Sequence, residues 1–196
     1  MARSKNYFII YKPYKVLSQF TDEDGNMGLG SLYKLPKDVY PVGRLDLDSE
    51  GLLILTNDRH LNSALLDPKH QHKRTYWVEV DGVPDEQGLA QLRKGVEINV
   101  KGGYHTLPAE VRIMDAPNLE ERNPPVNYQK HPVRSWMEIK LIEGKNRQVR
   151  KMTAKIGHPT LRLVRVAIED LSLSPLQSGE ITQIAAKPLY KKLMLL

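Results

Sequence analysis

The densest run of chemically capable side chains is Gly43-Arg44-Leu45-Asp46-Leu47-Asp48-Ser49-Glu50-Gly51. Three carboxylates at alternate positions followed by glycine imitate the first half of an EF-hand calcium loop, whose ligands alternate and whose sixth position is glycine. The second half fails. Asn57 stands at the twelfth position, where a bidentate Glu is required, Ile54 stands at the ninth, and Pro41 and Gly43 leave no incoming helix. A paired-carboxylate glycosidase site is the second reading, with Asp46 opposite Asp48 or Glu50. Asp48 and Glu50, however, read as cap or turn residues of a solvent-facing loop. Asp46 differs from them: it sits between Leu45 and Leu47 with Arg44 beside it. A carboxylate in so apolar a setting stays charged only where a cation supports it, and a supported carboxylate is a usable nucleophile.

Other chemistries fall away. His70-x-His72 is flanked by Lys69, Lys73 and Arg74, cations that oppose a metal ion, so a surface basic run accounts for it better. No Walker loop, GxGxxG or nucleophile-elbow serine is present. The absence of cysteine excludes disulfides, Cys-ligated zinc, iron–sulfur clusters and a thiol nucleophile.

The formal charge of +6 is concentrated. Between Arg122 and Arg165 there are eleven Lys/Arg against two acids, Glu138 and Glu143, a net +9 that leaves −3 for the remainder. A concentrated basic stretch in a chain with 40% apolar residues is the electrostatic footprint of a nucleic-acid face; a merely solvated surface mixes signs more evenly.

The elements that must hold these groups read as many short strands and a few helices. Asn6–Tyr11 and Gly51–Thr56 are short apolar runs of the buried-strand kind. Asn57 is placed to cap a helix through Leu66. Thr75–Val80 alternates, with Tyr76, Val78 and Val80 on one face and Trp77 and Glu79 on the other. A helix over Asp85–Lys94 follows Pro84 and closes at Gly95. Further strands are expected at Leu107–Met114, Ser135–Ile142 and Leu161–Ile168. Asp115–Arg134, with four prolines, is a long irregular loop of the kind that carries function. Across Asn146–Ile156 a helical wheel puts Val149, Met152 and Ile156 on one face and Arg147, Lys151 and Lys155 on the other. Arg150 lies on the boundary, able either to turn into a cleft or to snorkel over apolar neighbours. The pattern indicates an α+β domain with a mostly antiparallel sheet. The longest apolar runs are far short of a membrane span, and Met1–Asn6 lacks the features of a signal peptide, so a cytoplasmic protein is expected.

Four segments, in order, resemble the pseudouridine synthases, in particular their RsuA-type branch. They are Tyr11-Lys12-Pro13-Tyr14-Lys15-Val16-Leu17-Ser18; Gly43-Arg44-Leu45-Asp46 running on to Asp48-Ser49-Glu50-Gly51-Leu52-Leu53 and Leu55-Thr56-Asn57-Asp58; Arg74-Thr75-Tyr76 with Val78, Val80 and Gly82; and Glu143-Gly144-Lys145-Asn146-Arg147-Gln148-Val149-Arg150-Lys151-Met152, continuing to Gly157, Pro159 and Leu161–Arg165. The likeness spans residues 8–175. Two residues depart from it: Lys15 and Glu169 stand where the family commonly has glycine.

The resemblance implies one catalytic domain over residues 1–196 without an N-terminal S4-like domain. Its fold would be a mostly antiparallel mixed sheet flanked by helices and loops, with the active-site cleft at its centre. The implied activity is isomerisation of a specific uridine in large-subunit (23S) ribosomal RNA, without cofactor or metal. The partner would be that RNA, an assembly intermediate included, with no membrane partner, and the default state a monomer. The family's essential aspartate corresponds to Asp46, acting as nucleophile at the sugar or the base, or as a base toward the ribose. Arg150 corresponds to the cation that pairs with it, Tyr76 to the ring that packs on the target base, and Arg44 to an arginine that helps hold the flipped nucleotide. Lys145, Arg147, Lys151, Lys155, Arg162 and Arg165 are expected to contact RNA phosphates. Three rivals remain: the same chemistry on another rRNA or a tRNA uridine, a non-catalytic RNA-binding protein, and a glycoside hydrolase, which would have no use for the basic segment.

Overall fold

The structure is a computed structural model that describes residues 4–196, so Met1, Ala2 and Arg3 of the N-terminal segment lie outside the described residues. In chain order the strands are β1 (Tyr7–Lys12), β2 (Tyr40–Pro41), β3 (Glu50–Thr56), β4 (Arg74–Asp81), β5 (Glu97–Ile98), β6 (Tyr104–His105), β7 (Glu110–Met114), β8 (Arg134–Leu141), β9 (Thr160–Ile168), β10 (Leu171–Ser172) and β11 (Ile181–Gln183). The helices are α1 (Arg59–Leu66), α2 (Glu86–Lys94), α3 (Gln148–Lys155) and α4 (Ala186–Lys192). The chain divides into two compact units, one of residues 4–72 and 165–196, the other of residues 73–164. β9 begins in the second unit and ends in the first.

In the first unit β1 pairs antiparallel with β11 on one side and β3 on the other, with Ile10 opposite both Ile181 and Leu53. Every residue of β3 is buried, as its unbroken apolar run predicts. Ile10, Leu53 and Leu55 pack with Val16, Leu29, Tyr33, Val39 and Leu45 in one apolar cluster. Gly51 is obligatory here. Its φ is +109°, and a Cβ would sit 2.3 Å from the Arg165 carbonyl oxygen, a distance at which no side chain fits. The cap of α1 is Asp58, whose Oδ1 accepts from the His60 N–H at 3.1 Å. Asn57 does not cap the helix, because its Oδ1 already accepts from the Asn6 N–H and its Nδ2 donates to Asp38. Asp58 Oδ2 accepts from Tyr7 and Tyr190 hydroxyls, both at 2.7 Å, which ties α4 to the start of α1. Those bonds hold the Asp58 carboxyl well below the usual carboxylate range against the opposing effect of burial.

In the second unit β8 lies between β4 and β7, antiparallel to both. One face of these strands, with Val78, Val80, Met137, Ile139 and Val111, packs against Leu89 and Leu92 of α2 and Val149 and Met152 of α3. The α2 boundaries fall where its signals put them: Asp85 accepts from the Gly88 N–H at 2.7 Å, and Gly95 ends the helix with φ +96°. β7 starts three residues later than its apolar pattern predicts, because Pro108 cannot join the ladder. The segment joining β7 to β8 holds no helix or strand, in keeping with its prolines. Among the described residues, no helix is long and apolar enough to cross a membrane.

Candidate active site

Asp46 lies in the connection between β2 and β3, and its backbone is tied at several points. The Ser49 N–H donates to the Asp46 carbonyl at 3.0 Å, the Lys15 N–H to the Leu47 carbonyl at 2.9 Å, and the Val42 N–H to the Ile54 carbonyl at 2.8 Å. Ser18 Oγ donates to the Leu45 carbonyl at 2.8 Å, and the Leu45 N–H donates to Ser18 Oγ at 3.0 Å. The Leu45 side chain is buried in the first unit's apolar cluster, while Asp46 is half-buried and Arg44 exposed. The loop is therefore pinned on both sides of a carboxylate that itself remains accessible.

A second charged group belongs to this neighbourhood and escaped the reading of the sequence. Lys12, the last residue of β1, is fully buried, and its Nζ donates to the carbonyls of Val16 at 2.6 Å and Pro13 at 3.0 Å. Burial pushes the ammonium down to about 8, although the carboxylates of Glu50, Asp48 and Asp46 each favour its charged form. Its signal in the sequence was a lysine that continues an apolar strand directly into Lys12-Pro13. Glu50 also departs from expectation. It is only 1% exposed and opens β3, so it is not part of a solvent-facing loop.

Both residues that replace a commonly found glycine adopt the left-handed conformation glycine favours: Lys15 at φ +58° and Glu169 at φ +47°. Glu169 Oε1 lies 3.1 Å from Nδ1 of the buried His72.

The remaining predicted site residues lie in the second unit, apart from Arg165. Tyr76 is half-buried on β4 and packs against that unit's core, as its place in an alternating strand requires. Arg150 is half-buried on α3, with Nη1 donating to the Thr160 carbonyl at 3.4 Å. The loop before α3 is organised by two side chains. Glu143 accepts from the Tyr104 hydroxyl, the Leu107 N–H and Gln148 Nε2, while Gln148 Oε1 accepts from the Lys145 N–H. This scaffold leaves Lys145 exposed, its Nζ 4.5 Å above the Tyr104 ring, and leaves Arg147 and Lys155 exposed as well. Lys151 is half-buried.

Arg162 and Arg165 do not have the exposed position expected of phosphate contacts. They are 4% and 5% exposed on β9, and Arg165 Nε donates to the Leu52 carbonyl at 2.9 Å. Burial of both faces of β9 explains the difference: the two arginines, three residues apart, point to opposite faces, and neither face is left to solvent.

Comparison with known proteins identifies the family of the chain. Residues 6–155 match the family model described as RNA pseudouridylate synthase. A Vibrio parahaemolyticus protein, ribosomal large subunit pseudouridine synthase E, is 53% identical over 182 residues, covering 93% of this chain and 75% of that protein. The protein of the same name from Xanthomonas axonopodis pv. citri is 50% identical over 171 residues, covering 86% of this chain and 88% of its own. A crystal structure of a pseudouridylate synthase superposes with a TM-score of 0.79 at 25% identity, covering 96% of this chain and 74% of that one. With an α+β fold of the same kind, a family match over most of its length and relatives at half identity, this chain belongs to the RNA pseudouridylate synthase family.

Proposed function

We propose that this chain isomerises one uridine of large-subunit ribosomal RNA to pseudouridine, with Asp46 as the catalytic group. The observation that carries the reading is half identity, across some nine-tenths of the chain, to proteins named for that reaction. The pinned loop that presents a half-buried Asp46 supports the residue assignment. In the reaction the N1–C1′ glycosidic bond breaks, the uracil turns, a C5–C1′ bond forms, C5 loses its proton and N1 gains one. The sum is an isomerisation that balances without oxidant, reductant or water. A carboxylate can serve as nucleophile at the sugar or the base, or as a base toward the ribose, and each role calls for its charged form.

Arg44, Tyr76 and Arg150 act as supporting groups for the target nucleotide and for Asp46. The exposed Lys145, Arg147 and Lys155, with Lys151, hold RNA phosphates. The whole chain works as one catalytic domain, a monomer in the cytoplasm, on ribosomal RNA or a ribosomal assembly intermediate. The deciding experiment is carbodiimide-adduct primer extension on rRNA from a strain lacking the gene. One stop present in wild type should disappear, return with the wild-type gene, and stay absent with Asp46→Asn. If Asp46→Asn restores the stop, the catalytic assignment is wrong; if deletion removes no large-subunit stop, the substrate assignment is.

A further inference from the structure

The proline-rich segment between β7 and β8 has no role in the chemistry above, yet it roofs a cavity of about 590 Å³ in the second unit. The floor is the face of β4 and β8 turned away from the core, where Glu79 and Trp136 are direct cross-strand neighbours. Tyr128, Pro117 and Glu121 come from the loop, and Arg134 and Arg162 complete the charged part of the lining. Arg134 is held at three points. Its Nε lies 3.1 Å from Glu79 Oε1, its Nη1 donates to the His131 carbonyl, and its guanidinium stacks 4.1 Å from the Tyr128 ring centroid.

Glu79 is the anomaly. Its side chain is only 3% exposed, and Oε2 is buried with no hydrogen-bond donor from any described residue. A buried carboxylate oxygen without a donor is costly, so natural sites rarely leave one. Burial raises the Glu79 carboxyl above its usual range even though Arg134, Arg162 and Arg122 all pull the other way.

The donor that would complete Glu79 is constrained by its surroundings. An anion would meet the Glu79 carboxylate at the floor. A cation would meet the arginines. What fits is a neutral, flat group with an N–H on its edge, able to lie against aromatic and proline surfaces, and this describes a nucleobase. The volume is ample for one nucleotide. We propose that this cavity takes up an unpaired nucleobase of the RNA substrate, its N–H donating to Glu79 Oε2, its faces against Tyr128 and Trp136, and Arg134 supplying donors to the base edge. The proposal rests on the reading that RNA is the substrate. It makes the proline-rich loop a specificity element that reads a base other than the target uridine.

The chain has two tryptophans, so Trp77→Phe leaves Trp136 as the reporter. Pentaribonucleotides of A, C and U, a mixed G/U pentamer and an abasic ribose-phosphate pentamer are titrated into this protein. At least one base-bearing pentamer should quench Trp136 to saturation while the abasic pentamer does not. Glu79→Gln, close to isosteric, and Tyr128→Ala, on the loop, should each weaken that binding tenfold or more. In the full protein both should raise KM for ribosomal RNA by a similar factor while leaving kcat within threefold. Equal quenching by the abasic pentamer, or unchanged affinity and KM in both variants, overturns the pocket. In that case a protein that still modifies rRNA leaves the proposed reaction standing. Base-dependent quenching by a protein whose deletion removes no rRNA stop overturns the substrate and keeps the pocket.

Discussion

Ser18 and Leu45 are joined by two hydrogen bonds through a single hydroxyl, which donates to the Leu45 carbonyl and accepts from its N–H. Leu45 directly precedes Asp46, so this clasp fixes the backbone from which the carboxylate projects. Ser18→Ala leaves both buried backbone groups of Leu45 without a partner, at a cost of about 1–3 kcal/mol. Because the clasp positions Asp46 and does not grip RNA, kcat should fall at least tenfold while KM changes little. Equal losses in kcat and in RNA affinity would sink this assignment, and steady-state kinetics on an rRNA fragment separates the two.

Lys12 gives the protein a pH signature. Its folded value, about 8, lies below the unfolded value of 10.5, so the ammonium is disfavoured by folding. Below pH 8 both states hold the proton and the contribution is constant at its least favourable. Between pH 8 and 10.5 the unfolded chain binds more protons than the folded one, so stability from this group rises with pH. The full rise is on the order of 3 kcal/mol. Urea unfolding from pH 7 to 10 should show most of that rise in the difference curve between wild type and Lys12→Met, and parallel curves would count against it.

The basic segment divides by exposure. Replacing Lys145, Arg147 or Lys155 by Ala should reduce the dependence of log affinity on log salt by about 1 each, with little change in melting temperature. Arg165→Ala should do the opposite. It removes a buried donor to the Leu52 carbonyl and destabilises the fold by about 2–3 kcal/mol, with no specific change in salt slope. Filter binding across a salt series, paired with thermal melts, distinguishes the classes.

The two left-handed residues should part company on substitution. Lys15→Gly releases a left-handed strain of about 1 kcal/mol, partly offset by the greater freedom of glycine in the unfolded chain. Glu169→Gly releases the same strain but also gives up the contact with His72. Lys15→Gly should therefore be the more stable of the two by about 1 kcal/mol, measured by denaturant unfolding.

Much of this was readable from the sequence, and the exceptions share a cause. Buried strands such as β3, and helices with clean signals such as α2 between Asp85 and Gly95, declare themselves locally. So does the amphipathic face of α3, where Val149 and Met152 reach the core as their spacing predicts. Asp46 stood out through its apolar neighbours. What stayed hidden depends on partners distant in the chain. Asn57 loses the capping role to Asp58 because Asn6, some fifty residues earlier, claims its side chain. Arg162 and Arg165 look like surface cations, yet both are buried on β9, whose two faces are covered along most of its length. Lys12 is buried where β1 pairs with β3, and Glu50 where it opens that fully buried strand. The two- and three-residue strands β2, β5, β6, β10 and β11 carry too few residues to show a period at all.

The interruption of the first unit by the second sets a schedule for synthesis. β1 emerges from the ribosome early, while β11, the strand that covers one of its edges, follows only after the entire second unit has been made. At ribosomal speeds that delay is on the order of ten seconds, during which the inserted unit, continuous in sequence, can fold and the first cannot close. An apolar strand with an open edge is a template for the wrong neighbour. The nascent enzyme is thus most exposed to aggregation just before its last strand arrives, and slowing elongation across residues 73–164 should lower its soluble yield without altering the finished molecule.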